Sequence, residues 1–293
     1  MFPTSRILRP QPPSGRWAVL LVALVFQPAR AATAAPAITP TETILLFNGR
    51  DLSGFYTWLA EFGPADQDRV FAVVDRVDGA PALRMSGQHV GGLVTRERYA
   101  NYRLVAEYRW GLITWKPRLD RARAGSISLH CQGEDGNYKP DFRGPYMRSI
   151  EVFLAEGAVG DFILLGGYER GRSERLFPTV TASVRPDTRI WDPRGATAEF
   201  TGGRVHWFGR DSEWQDVPGY RGRINFEKPN GDWNRLEIIC AGGDIACILN
   251  GTKVNEIRNA TYREGRIMFP SERAEIFFRR IELHPIQAGL AHP

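Results

Sequence analysis

Apolar and polar positions alternate along this chain in short bursts, and no long stretch carries a helical stripe. In the first half the bursts are Phe71-Ala-Val-Val, Ala82-Leu-Arg-Met, Tyr102-Arg-Leu-Val-Ala-Glu-Tyr-Arg-Trp and Ser126-Ile-Ser-Leu-His. Ser149-Ile-Glu-Val-Phe-Leu, Asp161-Phe-Ile-Leu-Leu, Arg235-Leu-Glu-Ile-Ile-Cys and Ile245-Ala-Cys-Ile-Leu follow. Thr252-Lys-Val-Asn-Glu-Ile, Arg266-Ile-Met-Phe and Glu275-Ile-Phe-Phe-Arg-Arg-Ile-Glu-Leu complete the series. Turn residues separate them, with Asn250-Gly251 as a hairpin signal and Asn48-Gly49 and Asn230-Gly231 of similar strength. Period-two segments rich in β-branched and aromatic residues predict an all-β sandwich or barrel. Residues 166–231 differ, being rich in Arg, Gly, Pro and Trp with only short strand candidates. This segment is expected as loops and short hairpins folded over one face of a single domain, where binding groups commonly sit.

The termini read differently. Arg6, Arg9 and Arg16 precede a short apolar run over 17–26, and Ala29-Arg30-Ala31 follows as a small-x-small cleavage site. That is the layout of a secretory signal peptide over 1–31, with a run too short to span a bilayer. A Thr/Ala/Pro linker over 32–42, a β-domain over 43–286 and a tail over 287–293 complete the predicted organisation. The expected location is the periplasm or beyond, with no stable membrane insertion after cleavage. The formal net charge is +5. Loss of the four leader arginines, Arg30 included, leaves +1. So nearly neutral a chain argues against nucleic acid as a partner. Of the three cysteines, Cys240 and Cys247 flank the turn Ala241-Gly-Gly-Asp244. With Gly242-Gly243 as a two-residue turn they are diagonal neighbours, about 7–8 Å apart. Such spacing favours buried free thiols over a disulfide.

Candidate chemistry follows from strand parity. His130 shares a face with Ser126 and Ser128, whereas Glu151 shares one with Phe153 and Ala155. Glu107 and Arg109 alternate likewise in their own strand. An ionisable group in a buried strand costs stability unless it is partnered or used. If the three polar faces coincide, His130, Glu151, Glu107 and Arg109 meet on one concave surface. Against this, a strand histidine also serves as a hydrogen-bonded structural residue, and Glu107 with Arg109 as a solvated ion pair. Trp110, Trp115, Trp207 and Trp214 serve as core or loop anchors as readily as sugar platforms. The chain has no nucleophile elbow, phosphate loop, dinucleotide fingerprint or Cys-x-x-Cys pair, so no nucleotide or organic cofactor is expected. Glu151 and Glu156 lie an odd number of residues apart, so one regular strand cannot pair them as glycosidase carboxylates.

A series of motifs carries a resemblance. Leu46-Phe-Asn-Gly-Arg-Asp-Leu-Ser-Gly-Phe, Gly92-Leu-Val-Thr, Asn101-Tyr-Arg-Leu-Val-Ala-Glu-Tyr-Arg-Trp and Asp120-Arg-Ala-Arg come first. His130-Cys-Gln-Gly-Glu-Asp-Gly, Met147-Arg-Ser-Ile-Glu-Val, Glu156-Gly and Gly160-Asp-Phe follow. Trp207-Phe-Gly-Arg-Asp-Ser-Glu-Trp, Gly231-Asp-Trp-Asn, Asn250-Gly, Glu264-Gly-Arg-Ile and Glu275-Ile-Phe-Phe-Arg-Arg-Ile-Glu-Leu end the series. In order and number they resemble the bacterial 3-keto-disaccharide hydrolase family, over nearly the whole predicted domain. The resemblance implies a concanavalin A-like jelly-roll β-sandwich and an exported enzyme acting on glycosides oxidised at C3. A 3-ketone acidifies the C2 proton, so a base can remove it and expel the C1 substituent; water then adds to the enone. That chemistry needs a base, stabilisation of an enolate oxygen and help for the leaving group.

On this resemblance His130 is the base or a metal ligand, and Glu151 is a ligand of the same divalent metal or its partner. Arg121 and Arg210 would contact oxygens, Glu107 and Asp161 would bind hydroxyls or orient His130, and Trp207 and Trp214 would face the sugar. The chain departs from its relatives in having Ala124-Gly125-Ser126 where an acidic residue and Ser-Gly are common. It also has Phe153 and Pro270 where glutamine is common. Altered activity or a changed substrate would each produce such departures. The rival reading is a non-catalytic carbohydrate-binding module on the same fold, which needs aromatic platforms but neither His130 nor Glu151. A third, an adhesive envelope protein, predicts no sugar affinity.

Overall fold

Two antiparallel sheets form a sandwich in the computed structural model, which describes residues 35–286. The leader reading over 1–31 and the tail over 287–293 lie outside the described residues. Sheet I runs in the order β16 (Thr252–Ile257), β15 (Asp244–Leu249), β14 (Asn234–Ala241), β7 (Tyr102–Thr114), β18 (Ala274–His284), β4 (Ala80–Met85) and β3 (Phe71–Val77). The short β1 (Ile44–Leu45) joins it on β18. Sheet II runs β13 (Gly203–Val205), β10 (Asp161–Leu165), β9 (Arg148–Ala155), β8 (Ala124–Gln132), β17 (Glu264–Ser271), β5 (Gly91–Thr95) and β2 (Phe55–Leu59). Its accessory strand β6 (Tyr99–Ala100) pairs with β17, and β11 (Thr179–Val184) with β12 (Ala196–Thr201) forms a separate ribbon.

The core is built from the period-two faces. On β7, Tyr102, Leu104, Ala106, Tyr108 and Trp110 are buried and meet Ile127, Leu129, Ile150, Val152 and Leu154 of sheet II. Burial of such side chains contributes roughly 1.5–3 kcal/mol each, which is why parity in these strands is strongly enforced. Gly242 and Gly243 form the β14–β15 turn as expected: Cys240 stands opposite Ile245, Cys247 opposite Ile238, and both thiols are free and buried.

Segment 166–231 does more than cover a face. Val180, Ala182, Val184, Trp191, Val205 and Trp207 from this stretch are buried in the main core. Thr181 exchanges backbone hydrogen bonds of 2.7 Å with Arg258, and Asn255 Nδ2 donates to the carbonyls of Gly160 and Val205. The segment thus joins the β16 edge of sheet I to the β10–β13 edge of sheet II. Its apolar residues are spread too thinly along the sequence to show a strand period.

Candidate functional site

A β-bulge in β8 decides which side chains share a surface. Against β17, Ser128 pairs with Met268 and Cys131 with Arg266, so three steps on β8 match two on β17. His130 is the extra residue, with φ +52°. Gly265 packs against it so closely that a Cβ there would stand 2.5 Å from the His130 carbonyl carbon. The bulge reverses parity beyond Leu129. Cys131 takes the outer face of sheet II, where it packs with Val94, Met147 and Met268.

His130 instead enters the core. Its ring stands 5.6 Å from that of Tyr102, edge to face, and Nδ1 donates to the Tyr262 carbonyl at 3.0 Å. Nε2 is buried without a hydrogen-bond partner. Burial pulls the imidazole down to about 4, so it is neutral near pH 7. The expected meeting of His130 with Glu151 therefore does not occur: the two side chains open to opposite faces of one sheet.

Glu151 lies on the outer face of sheet II, almost fully buried, and accepts a hydrogen bond from Ser128 Oγ at 3.1 Å. Two residues along β8, Ser126 Oγ donates to Glu272 Oε1 at 2.8 Å. The two carboxyls thus hang from alternate residues of one strand face. Burial pushes Glu151 well above the usual carboxylate range; the Glu272 charge pushes it further, and Ser128 and Arg204 oppose the shift. Glu272 is raised by burial and held back by Ser126, Arg118 and Arg204. Tyr146 lies within reach of both charges, which together with burial raise its phenol. Arg204 stacks 4.5 Å above Phe153 and donates to Asp161 at 3.1 Å. Asp161, fully buried, also accepts from His206 Nδ1 at 2.9 Å and from the Trp207 backbone N–H at 2.8 Å. A further acid, Asp135, accepts from Tyr56 at 2.8 Å on the same face, and burial raises it.

The remaining expected residues scatter. Glu107 is on β7 in the other sheet, facing outward, where Arg279 donates to it at 2.7 Å and Arg235 and Arg280 stand nearby. Arg109 beside it pairs with Asp78. Parity alone does not tell which sheet of a sandwich a strand joins, and β7 and β9 lie in different sheets, so the expected meeting of Glu107 and Arg109 with Glu151 does not occur. Arg121 is exposed beside Asp216, lining a surface cavity with Lys116 and Leu119. Trp207 is buried in the core against Phe208 and Phe226, so its ring does not face a sugar. Trp214 donates from Nε1 to the Glu156 carbonyl and packs against the cluster of Ala124, Ala155 and Ala158. Arg210 lies 6.0 Å from the Trp214 ring, in a cavity that His206 also lines.

His130 and Glu151 do not form one donor set for a divalent metal. Among the described residues no group of three or more His, Cys, Asp and Glu side chains gathers to hold one. Glu272, Tyr146, Arg118 and Arg204 are the site residues that the periodic reading missed. Three come from loops or turns and Arg204 from a three-residue edge strand, where periodicity is silent. The Ser126-x-Ser128 polar face was the available signal, since two hydroxyls in a buried strand need acceptors. Ala124, Ala155 and Ala158 form an apolar cluster against Phe153 and Trp214.

Among solved structures, the chain is similar to a candidate glycosyl hydrolase of Parabacteroides distasonis, at 14% identity and TM-score 0.46, over 84% of this chain and 94% of that one. It is also similar to carbohydrate-binding module CBM66 of Bacillus subtilis, at 12% identity and TM-score 0.38 over 78% and 94%. For the β-glucanase of Bacillus licheniformis the values are 7% and 0.39 over 84% and 99%. Likeness this distant says nothing about substrate. No curated protein matches the chain. The model of the 3-keto-alpha-glucoside-1,2-lyase-like domain matches residues 42–284, taking in both sheets and the paired carboxyls. The chain belongs to that carbohydrate-related family.

Proposed function

We propose that this chain is an exported enzyme that cleaves 3-keto-glycosides, with the Glu272–Glu151 pair moving the protons. The observation that carries the reading is the pair itself: a buried carboxyl, Glu151, and a half-buried one, Glu272, tethered by Ser128 and Ser126, with the charge of one raising the cost of ionising the other. Like charges so placed favour a state with one proton on the pair, which supplies a base and an acid together. Glu272 has Ser126, Arg118 and Arg204 favouring its charged form and is the base; Glu151 keeps the proton.

Glu272 takes the C2 proton, and the C–H electron pair forms the C2=C3 enolate. The enolate collapses, re-forming the C3 ketone and a C1=C2 double bond while the C1–O bond breaks. Glu151 gives its proton to the departing oxygen. Water then adds to the enone, hydroxyl at C1 and hydrogen at C2, giving net hydrolysis. Arg204 and Arg118 offset the charge on the enolate oxygen. His130, in the core, has no part in these steps.

The test is turnover of a 3-keto-glucoside by Glu272→Gln and Glu151→Gln proteins that melt cooperatively. A loss of roughly 10²–10⁴ in kcat is expected for each, the usual scale of general acid–base catalysis. Undiminished rates in both would remove the pair from the mechanism. The same carboxyl pair also supports a second reading, direct acid–base hydrolysis of an unoxidised glycoside. Wild-type turnover of the plain glucoside at a rate equal to its 3-keto form would favour that alternative.

A further inference from the structure

A polar cavity lies near the carboxyl site and is linked to it through the buried Asp161. Asp161 Oδ2 accepts from Arg204, which acts on Glu151 and Glu272, and from His206, which lines a cavity of ≈ 670 Å³. The other walls include Arg185, Arg189, Arg210, Ile190 and Ser212, with Asp187 as the single acid. Two of the three guanidinium groups are held in place. Arg189 stacks 4.6 Å from Phe200 and donates to the Gly202 carbonyl at 2.8 Å; Arg185 donates to the Phe208 carbonyl. Neither Arg189 nor Arg210 makes an ion pair among the described residues, so the cavity carries uncompensated positive charge. Asp161 engages Nδ1 of His206 and leaves Nε2 for a ligand hydroxyl.

We infer that this cavity is a binding subsite for an acidic sugar, a saccharide unit bearing a carboxylate. Planar guanidinium forks match a carboxylate, which accepts two parallel N–H bonds from one arginine. The volume falls in the range of small-molecule sites and exceeds what an inorganic oxyanion fills. Ile190 offers a sugar ring an apolar contact, and Ser212 and His206 offer hydroxyl partners. The inference shares with the proposed reaction only a carbohydrate ligand, and it holds whether or not the carboxyl pair is catalytic.

The experiment is calorimetric titration of D-glucuronate into the Glu151→Gln protein, so that binding is read without turnover. D-Glucose and inorganic phosphate serve as comparators. The expected result is saturable glucuronate binding that weakens with salt, with affinity reduced at least tenfold by Arg210→Ala and, separately, by His206→Gln. Glucose should show no such binding. Absence of saturable glucuronate binding, or affinity unchanged in both variants, would overturn the site. Phosphate binding as tightly as glucuronate would overturn the sugar-acid assignment in favour of a bare oxyanion site.

Discussion

The outward faces of the two sheets look alike in sequence and behave oppositely in space. On sheet I, Glu107 alternates along β7 and is met by Arg279, with Arg235 and Arg280 beside it; Arg103 pairs with Glu237 and Arg109 with Asp78. These charges stay near solvent and are answered in kind. On sheet II, Glu151 is buried and Glu272 half-buried, each accepting from a serine hydroxyl, and burial raises both. The difference teaches that a strand carboxylate is informative only once its cover is known. Under solvent and arginines it is a surface ion pair worth little. Under protein and beside a second carboxyl its charged form is disfavoured and its pKa is pushed up.

The sharpest way to break the comparison is to remove the sheet II pair. Beyond the rate loss already described, the pH–rate profile should be bell-shaped, with both limbs belonging to the coupled pair. Glu151→Gln should erase the limb set by its proton. Stability should respond too. A carboxyl raised in the folded state contributes stability that is complete below the ordinary carboxylate range and is lost as pH rises through the raised value. Melting temperature should therefore fall on the alkaline side, and less steeply in Glu151→Gln. An unaltered melting profile would show that these carboxyls are not raised.

The next effect concerns the bulge that separates the faces. Gly265→Val would drive a Cβ into the His130 backbone and should cost about 3 kcal/mol or more, read as a shift in denaturant midpoint. A midpoint unchanged from wild type would mean that the bulge is not locked by this glycine.

His130 provides a comparison within a single strand. Its imidazole is depressed to about 4 from an ordinary 6.5, so its contribution is present above pH 6.5 and is lost as pH falls through 4. At full extent that amounts to about 3 kcal/mol. His130→Phe should keep the edge-to-face packing on Tyr102 and flatten acid denaturation over this window. Its turnover should stay within tenfold of wild type. A rate loss as large as that of Glu272→Gln would return His130 to the mechanism.

The smallest effect should come from sheet I. Glu107→Gln is expected to change stability by less than about 1 kcal/mol and to leave turnover intact. A large activity loss there would erase the contrast between the faces.

Much of the scaffold was legible. The strands β7, β8, β9, β14, β15, β16 and β18 are where period two places them, because each buries one face against the opposite sheet. The diagonal placement of Cys240 and Cys247 followed from a two-glycine turn. Short elements were not legible: β11, β12 and β13 hold three to six residues each and owe their form to neighbours. For the site, Glu151 and the serine face were visible, whereas Glu272 in a turn and Arg204 on an edge strand were not.

Alternation, turn residues and the order of motifs were enough to determine an all-β chain and its family, and to draw attention to Glu151 as a carboxylate in a buried strand. These are properties of local chain geometry, since side chains in a regular strand must alternate. Which strands share a sheet, and on which side His130 emerges, was decided only in three dimensions. One extra residue at positive φ, accommodated by a glycine more than a hundred positions away, reverses the parity of everything after it. Sequence spacing carries no record of such a bulge, because the contact that permits it is long-range.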